Sequence, residues 1–244
     1  MMLYWTESCF MLQYNQTEEP SMAIRTPLIA SSLIAASLIS GAAHAGLIGR
    51  DLNGSAGSFE AYYDTDLNIT WLANANVNGL MNWANANIWA ASLSFTDGTN
   101  VYDNWRLPTT LQPDVSCGSQ SVGGVSHGYN CTGSEMGHLF YSELGGTAGQ
   151  PILSSADPDV AKFTNLQASH YWSGTEYVLS TGGAWLFNFF NGNQTALNES
   201  SGFYALAVSP GDVGAANGNT VPEPQTLALV GLGLLGLAVA RRRG

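Results

Sequence analysis

Basic residues are scarce in this 244-residue chain, which has seven Lys and Arg against eighteen Asp and Glu and a formal net charge of −11. Within residues 46–220 only Arg50, Arg106 and Lys162 are basic, against fourteen acidic residues. Nucleic acids and anionic lipid surfaces are bound through clusters of Lys and Arg. The composition therefore excludes nucleic acid as an expected partner and disfavours docking on an anionic membrane.

Local motifs for catalysis and metal binding are also missing. No serine lies in a nucleophile-elbow sequence, and no metal-site spacing relates His127, His138 and His170. Asp64 and Asp66 mimic the first ligands of a calcium loop, but the glycine and the distal glutamate of such loops are missing. We expect no enzyme activity, no metal site and no cofactor, with calcium as the alternative.

Cysteine is limited to three residues, of which Cys9 lies in the N-terminal leader described below. Cys117 and Cys131 are the remaining pair, and in an oxidising compartment such a pair is expected to form a disulfide. Closing a loop of about 14 residues would stabilise the fold by about 3 kcal/mol in the chain-entropy model. A redox or metal site is the alternative interpretation.

An uncharged run made almost entirely of Leu, Val, Ala and Gly lies near the C-terminus, over residues 226–240. About 15 helical residues cover about 22 Å, which is short of the roughly 30 Å hydrocarbon core. The basic residues that follow it are expected to stay on the cytoplasmic side, so that the preceding chain is exported. These residues are Arg241, Arg242 and Arg243.

The sequence just before the apolar run is Val221, Pro222, Glu223 and Pro224. The order Pro-Glu-Pro, short span, basic end resembles the PEP-CTERM sorting signal of Gram-negative bacteria, over residues 221–244. The resemblance implies recognition by an exosortase, a transient inner-membrane intermediate, removal of the tail and release to the cell surface or matrix. An ordinary membrane anchor is the alternative.

The N-terminal part agrees with export. Arg25, an apolar region over 28–39 and the small-residue pattern ending in Ala43 and Ala45 predict a signal peptide cleaved before Gly46. Residues 1–21 carry acidic but no basic residues, so we expect Met22 to be the true start. The expected organisation is a start-site extension (1–21), signal peptide (22–45), linker (46–57), folded domain (58–214), linker (215–220) and sorting signal (221–244).

The folded domain is predicted to be α+β, with two helices packed on antiparallel sheet. One helix is predicted from Asn78 to about Leu93, with Trp89 at its margin, and another after a Thr132–Glu135 capping box, placing His138 on the helix surface. Asn191-Gly192 predicts a hairpin turn. Strands are predicted at 58–63, 67–72, 171–173, 184–190, 194–197 and 203–208, the second with alternating faces.

Two segments of the domain carry a family resemblance. They are Trp105, Arg106, Leu107, Pro108 and Thr109, and the later run Tyr171, Trp172, Ser173, Gly174, Thr175 and Glu176. Residues 58–214 resemble the C-terminal domain of the Legionella collagen-like adhesin, which implies a C-type-lectin-like fold distantly related to formylglycine-generating enzymes. Members commonly have Arg where this chain has Ser209. We expect Arg106 to pair with Glu176, Asp103 or Glu135.

These observations favour a non-enzymatic surface or matrix protein that binds polysaccharide, with exposed aromatic residues such as Trp89 or Tyr102 stacking on sugars. Gln112-Pro113-Asp114 matches a calcium- and sugar-binding tripeptide of some C-type lectins, although no Trp-Asn-Asp follows. Two alternatives stay open. One is a purely structural matrix component without a ligand, and the other is an oxidase related to the formylglycine-generating enzymes.

Overall fold

The computed structural model describes residues 46–55, 57–121 and 123–215. The predicted signal peptide, its cleavage residues Ala43 and Ala45, and the sorting signal at residues 221–244 lie outside the described residues. The described residues contain no helix that is long and apolar enough to cross a membrane. The predicted span over 226–240 is not among them.

The first sheet has four antiparallel strands in the order β1-β2-β3-β11. The predicted N-terminal hairpin is confirmed, with shorter strands, and both faces of its second strand are covered. Every β3 residue is buried, because polar side chains on it have internal partners: the Thr70 hydroxyl donates to the Gly211 carbonyl at 2.7 Å. The strands are Leu47–Arg50 (β1), Ala61–Asp64 (β2), Ile69–Leu72 (β3) and Val208–Pro210 (β11).

The second sheet has three antiparallel strands in the order β10-β9-β8. They are His170–Glu176 (β8), Gly183–Asn188 (β9) and Asn193–Asn198 (β10). The predicted Asn191-Gly192 turn joins β9 to β10, and Gly192 has a φ of 77°, which favours glycine. The predicted strand at 203–208 is wrong except at Val208, since Phe203 and Tyr204 form only isolated bridges.

Helix α1 spans Trp83–Ala91. The predicted start at Asn78 is wrong, because the Asn82 side chain accepts a hydrogen bond from the Asn85 amide at 2.9 Å and caps the helix there. The predicted marginal position of Trp89 is also wrong. Ala86 and Ala90 are buried as predicted, but Trp89 is 8% exposed and Ile88 is 67% exposed, so the buried face widens toward Trp89 and not toward Ile88.

Helix α2 spans Glu135–His138 and continues as a π-helical turn over Leu139–Glu143. Its apolar positions are buried as predicted: Met136, Leu139, Phe140 and Leu144. The predicted capping box is wrong, because the N-cap is Ser134 and the Glu135 carboxylate binds Arg106. The Phe140 ring lies 5.4 Å from that of Phe187 in β9, between centroids, so this segment packs on the second sheet.

The disulfide predicted between Cys117 and Cys131 is present. It closes the segment that contains the short hairpin Ser119–Ser121 (β6) and Val125–His127 (β7). A second small ribbon pairs Phe95–Thr96 (β4) with Val101–Tyr102 (β5), and 3₁₀ turns lie at Ile152–Ser154 and Pro158–Lys162. Two α-helices and several antiparallel sheets make the domain α+β, as predicted.

Candidate functional site

The two predicted family segments lie against each other. The Pro108 carbonyl accepts hydrogen bonds from the Ser173 hydroxyl at 2.9 Å and from the Gly174 amide at 2.8 Å. The Thr110 amide donates to the Thr175 hydroxyl at 2.9 Å. These contacts join the loop after β5 to strand β8. They favour a structural role for both segments.

Most of the family residues are inaccessible to a ligand. The buried ones are Trp105, Leu107, Pro108, Tyr171, Trp172 and Ser173, whereas Thr109 and Glu176 are exposed. The indole nitrogen of Trp172 donates to the Met81 carbonyl at 2.8 Å, so this large side chain is also satisfied internally. Ser209 is buried in β11.

Arg106 forms its ion pair with Glu135, one of the three acidic residues predicted as its partner. Its guanidinium binds both carboxylate oxygens, with Nη1–Oε2 at 2.8 Å and Nη2–Oε1 at 2.7 Å. Asp103 and Glu176 are both exposed. The pair fixes the first turn of α2 to the loop after β5. A bidentate pair of this kind provides orientation as well as energy.

In the lectin-like tripeptide Gln112-Pro113-Asp114, the aspartate is also engaged in hydrogen bonds within the protein. The Asp114 carboxylate is 1% exposed and accepts hydrogen bonds from the Ser116 amide at 3.0 Å and the Gly133 amide at 3.1 Å. At the other calcium-like sequence, Oδ1 of Asp64 accepts from the Asp66 and Leu67 amides, each at 3.0 Å. Both carboxylates therefore shape their own loops.

A groove of about 790 Å³ opens between the first sheet, the C-terminal end of α1 and the Pro158–Lys162 turn. This volume is within the range of small-molecule sites. This feature is called the groove from here on. Its apolar lining comes from Phe59, Tyr62, Leu72, Val77 and Phe95, and its uncharged polar lining from Ser58, Asn74, Ser92, Ser94 and Thr164.

Phe59 gives the groove an exposed aromatic face. Its ring is 56% exposed, packs edge-on against Tyr62 with centroids 6.1 Å apart, and rests over Gly49. A Cβ added at Gly49 would overlap the Phe59 ring, so only glycine permits this approach. The ring is thus held on one side and open to solvent on the other, which suits stacking against a flat apolar ligand surface.

The charged side chains of the groove already have partners. Lys162 Nζ lies 2.8 Å from the Asp159 carboxylate and donates to the Leu47 carbonyl at 2.9 Å. The Glu60 carboxylate accepts from the Leu52 amide at 2.9 Å and from the Asn53 side chain at 2.6 Å. The groove therefore presents aromatic, amide and hydroxyl groups more than free charge.

Two polar groups of the groove have spare hydrogen-bonding capacity. The Asn74 side-chain oxygen accepts from Asn76 and Asn165, while its Nδ2 makes no hydrogen bond within the described part of the chain. The Ser94 hydroxyl is exposed and likewise makes none among these residues. A ligand hydroxyl in the groove could therefore be bound without breaking a protein contact.

This groove was not predicted from the sequence, which indicated Trp89 or Tyr102 as the aromatic residues for sugar stacking. Trp89 is buried, and Tyr102 is half-buried with its hydroxyl donating to Asp97 at 2.7 Å, so the expectation that they form the sugar platform is wrong for Trp89 and unsupported for Tyr102. The groove residues come from four separate segments. Since no local pattern relates those segments, only the fold reveals the site.

His138 lies in a separate cluster of acidic side chains, and its own side chain is only 14% exposed. Its Nε2 is 3.2 Å from Oε1 of Glu143, 4.0 Å from Oδ2 of Asp64 and 3.9 Å from Oδ2 of Asp66. The hydrogen bond to Glu143 raises the pKa of His138; burial opposes this shift, and the nearby carboxylates add to it.

Comparison with known families identifies the C-terminal segment. Residues 220–243 match the family model of the PEP-CTERM protein-sorting motif, which confirms the motif predicted at residues 221–244. The motif indicates exosortase-dependent sorting to the cell surface or matrix of a Gram-negative bacterium. No curated protein matches the chain. The resemblance of residues 58–214 to the adhesin domain stays a prediction.

Proposed function

We propose that the protein is a non-enzymatic component of the cell surface or extracellular matrix whose domain binds a neutral polysaccharide in the groove. One observation carries this proposal. The groove combines a fixed, exposed Phe59 ring with spare amide and hydroxyl groups, while Lys162 and Glu60 are already engaged. Sugar rings offer apolar faces for stacking and hydroxyls for hydrogen bonds. The C-type-lectin-like fold is part of the proposal.

The charge of the domain favours a neutral ligand over a polyanion. Residues 46–220 carry fourteen acidic and three basic residues. The field of such a surface repels an acidic polymer at low ionic strength. Binding to a neutral polysaccharide should therefore change little with added salt.

Binding to a glycan array, followed by titration with each polysaccharide that binds, tests the proposal. The variant Phe59→Ala should bind about tenfold more weakly, because loss of one stacking contact costs about 1–1.5 kcal/mol. Phe190→Ala is the matched control, since Phe190 is 55% exposed and lies outside the groove. Absence of saturable binding by the wild-type protein would favour a structural matrix component without a ligand.

The oxidase alternative requires a reactive cysteine pair in a substrate cleft. In the structure Cys117 is 6% exposed and Cys131 is fully buried, and their disulfide does not line the groove. Accessibility of this kind suits a structural crosslink. These observations support the non-enzymatic assignment within the proposal.

We further propose that an exosortase removes the tail near Pro222–Pro224 after a transient inner-membrane intermediate. The sorting motif at 220–243 and the basic residues Arg241–Arg243 support this order of events. Mass spectrometry of the protein from a strain without exosortase should detect peptides from residues 225–244. Their presence in the surface protein of the normal strain would contradict the proposed removal.

A further inference from the structure

We propose that Asp64, His138 and Glu143 bind a divalent transition-metal cation such as Zn²⁺. One candidate ligand atom from each residue lies within 4.8 Å of the other two. The shortest separation, 3.2 Å, is between Nε2 of His138 and Oε1 of Glu143. In a tetrahedral site with bonds of about 2.0–2.2 Å, ligand atoms are about 3.3–3.6 Å apart. The His138–Glu143 separation is close to the lower end of this range.

The π-helical turn brings His138 and Glu143 together. In an α-helix the residue above His138 would be four positions on, whereas here the Leu144 amide donates to the Leu139 carbonyl, five residues back, at 2.9 Å. Residues five apart therefore align in this turn. Such π-turns are frequent at functional sites because they re-aim side chains that an α-helix would separate.

Asp64 is held in place from the other side of the cluster. It ends strand β2 and is fully buried. Its Oδ1 accepts from two backbone amides at 3.0 Å, and its Oδ2 accepts from the Trp71 indole at 3.1 Å. Each carboxylate oxygen has more than one lone pair, so Oδ2 can still bind a cation. Its 4.0 Å distance to His138 needs to shorten by under about 1 Å.

An unpartnered oxygen is the independent sign that a ligand belongs here. Glu143 is 2% exposed, and its Oε2 is buried with no hydrogen-bond partner in the described residues. The other oxygen of the same carboxylate contacts His138, so the group faces the cluster. A buried carboxylate oxygen without a partner is costly. An imidazolium alone would leave Oε2 unsatisfied, whereas a metal ion can take both oxygens.

The donor set determines the class of cation. An imidazole nitrogen beside carboxylates suits Zn²⁺ or Mn²⁺, whereas Ca²⁺ and Mg²⁺ prefer oxygen ligands only. Asp66, with a side chain 49% exposed and Oδ2 3.9 Å from His138, marks the solvent side from which an ion could enter. The bound cation would tie the β2–β3 hairpin, which lines the groove through Tyr62 and Leu72, to helix α2.

Metal titration of the full chain, purified in mild detergent and stripped with chelator, tests this site. Calorimetry with Zn²⁺ and visible absorption with Co²⁺ should show one saturable equivalent per chain. His138→Gln and Glu143→Gln should each abolish it or weaken it at least tenfold, whereas His127→Gln, which changes a histidine outside the cluster, should retain it. Circular dichroism establishes which variants are folded.

The result that overturns the proposal is equally direct. It is overturned if the wild-type chain takes up no equivalent, or if either folded variant of His138 or Glu143 binds as tightly as the wild-type chain. Two variants are used because a substitution at the buried Glu143 can impair folding. Glu143→Gln limits this effect, since glutamine has nearly the same shape as glutamate. The half-buried position of His138 makes His138→Gln the less disruptive change.

Discussion

Replacing Arg106 by alanine should lower the stability of the domain by about 2 kcal/mol. The change removes two charge-assisted hydrogen bonds to Glu135, at 2.7 and 2.8 Å, and one to the Leu107 carbonyl at 3.0 Å. Breaking a buried ion pair costs about 3–5 kcal/mol, and an exposed pair contributes at most about 1 kcal/mol. The side chains are 35% and 14% exposed, which places this pair between those limits.

Thermal unfolding followed by circular dichroism and urea unfolding followed by tryptophan fluorescence measure the change. For a domain of about 150–250 residues, 2 kcal/mol corresponds to a lowering of Tm by about 4–8 °C. Arg106→Lys should fall between wild type and Arg106→Ala, because it keeps the charge but loses the bidentate contact. A double-mutant cycle with Glu135→Gln should give a coupling energy above about 0.5 kcal/mol.

The result that refutes this reasoning is an Arg106→Ala protein with a Tm within about 1 °C of wild type. The backbone of Arg106 is bonded to Val208 in both directions, at 2.9 and 2.8 Å, so the strand contact survives the substitution. The experiment therefore isolates the side chain. Unchanged stability together with lost polysaccharide binding would make Arg106 a ligand residue instead.

Three further predictions concern packing, the disulfide and pH. Gly137→Ala should destabilise the domain strongly in urea unfolding, because its Cβ would overlap the Cys131 carbonyl, while Gly202→Ala, with an ordinary 3.5 Å contact, should change little. Reducing the disulfide should lower the unfolding free energy by about 3 kcal/mol, and an unchanged urea midpoint would contradict this. In the presence of chelator, the wild-type protein should have a higher free energy of unfolding than His138→Gln. This difference should be largest below about pH 6.5 and should decline as pH rises through the elevated pKa of His138. A difference that does not change with pH would contradict the ion pair with Glu143.

Features with local causes were predictable from the sequence. Asparagine and glycine adopt turn conformations, including positive φ, more readily than other residues. The turn predicted at Asn191-Gly192 was confirmed between β9 and β10. The apolar spacing of Met136 and Phe140 predicted their burial correctly. The paired cysteines predicted a disulfide because few other chemistries suit two cysteines in an exported domain.

Features decided by tertiary contacts were not predictable. Asn78 and Asn82 are equally good capping residues by type, but Met81 is held outside the helix by two backbone hydrogen bonds with the distant Phe203, at 2.8 and 2.9 Å. Glu135 has the spacing of a capping box, but the nearby Arg106 guanidinium competes for its carboxylate. Trp89 was misplaced because the apolar spacing predicts the burial of Ala86 and Ala90 but not which flank of that stripe, Trp89 or Ile88, meets the core.

Both candidate sites depend on residues that are distant in sequence. The groove joins Phe59 to Lys162, and the cation cluster joins Asp64 to Glu143. The three histidines of the domain have no metal-site spacing among themselves. A ligand set of one histidine and two carboxylates has no characteristic spacing by which the sequence could reveal it. The π-helical turn that aligns His138 with Glu143 also has no reliable sequence signal.

Hydrogen-exchange mass spectrometry with a bound neutral polysaccharide tests the central claim most directly, because it locates the ligand on the domain. We predict slower exchange in the segments that line the groove, at residues 57–62, 72–77 and 92–95. The hairpin around Phe190 should exchange at the same rate with and without the polysaccharide. Protection of another surface, with no change in the groove segments, would contradict the proposed function.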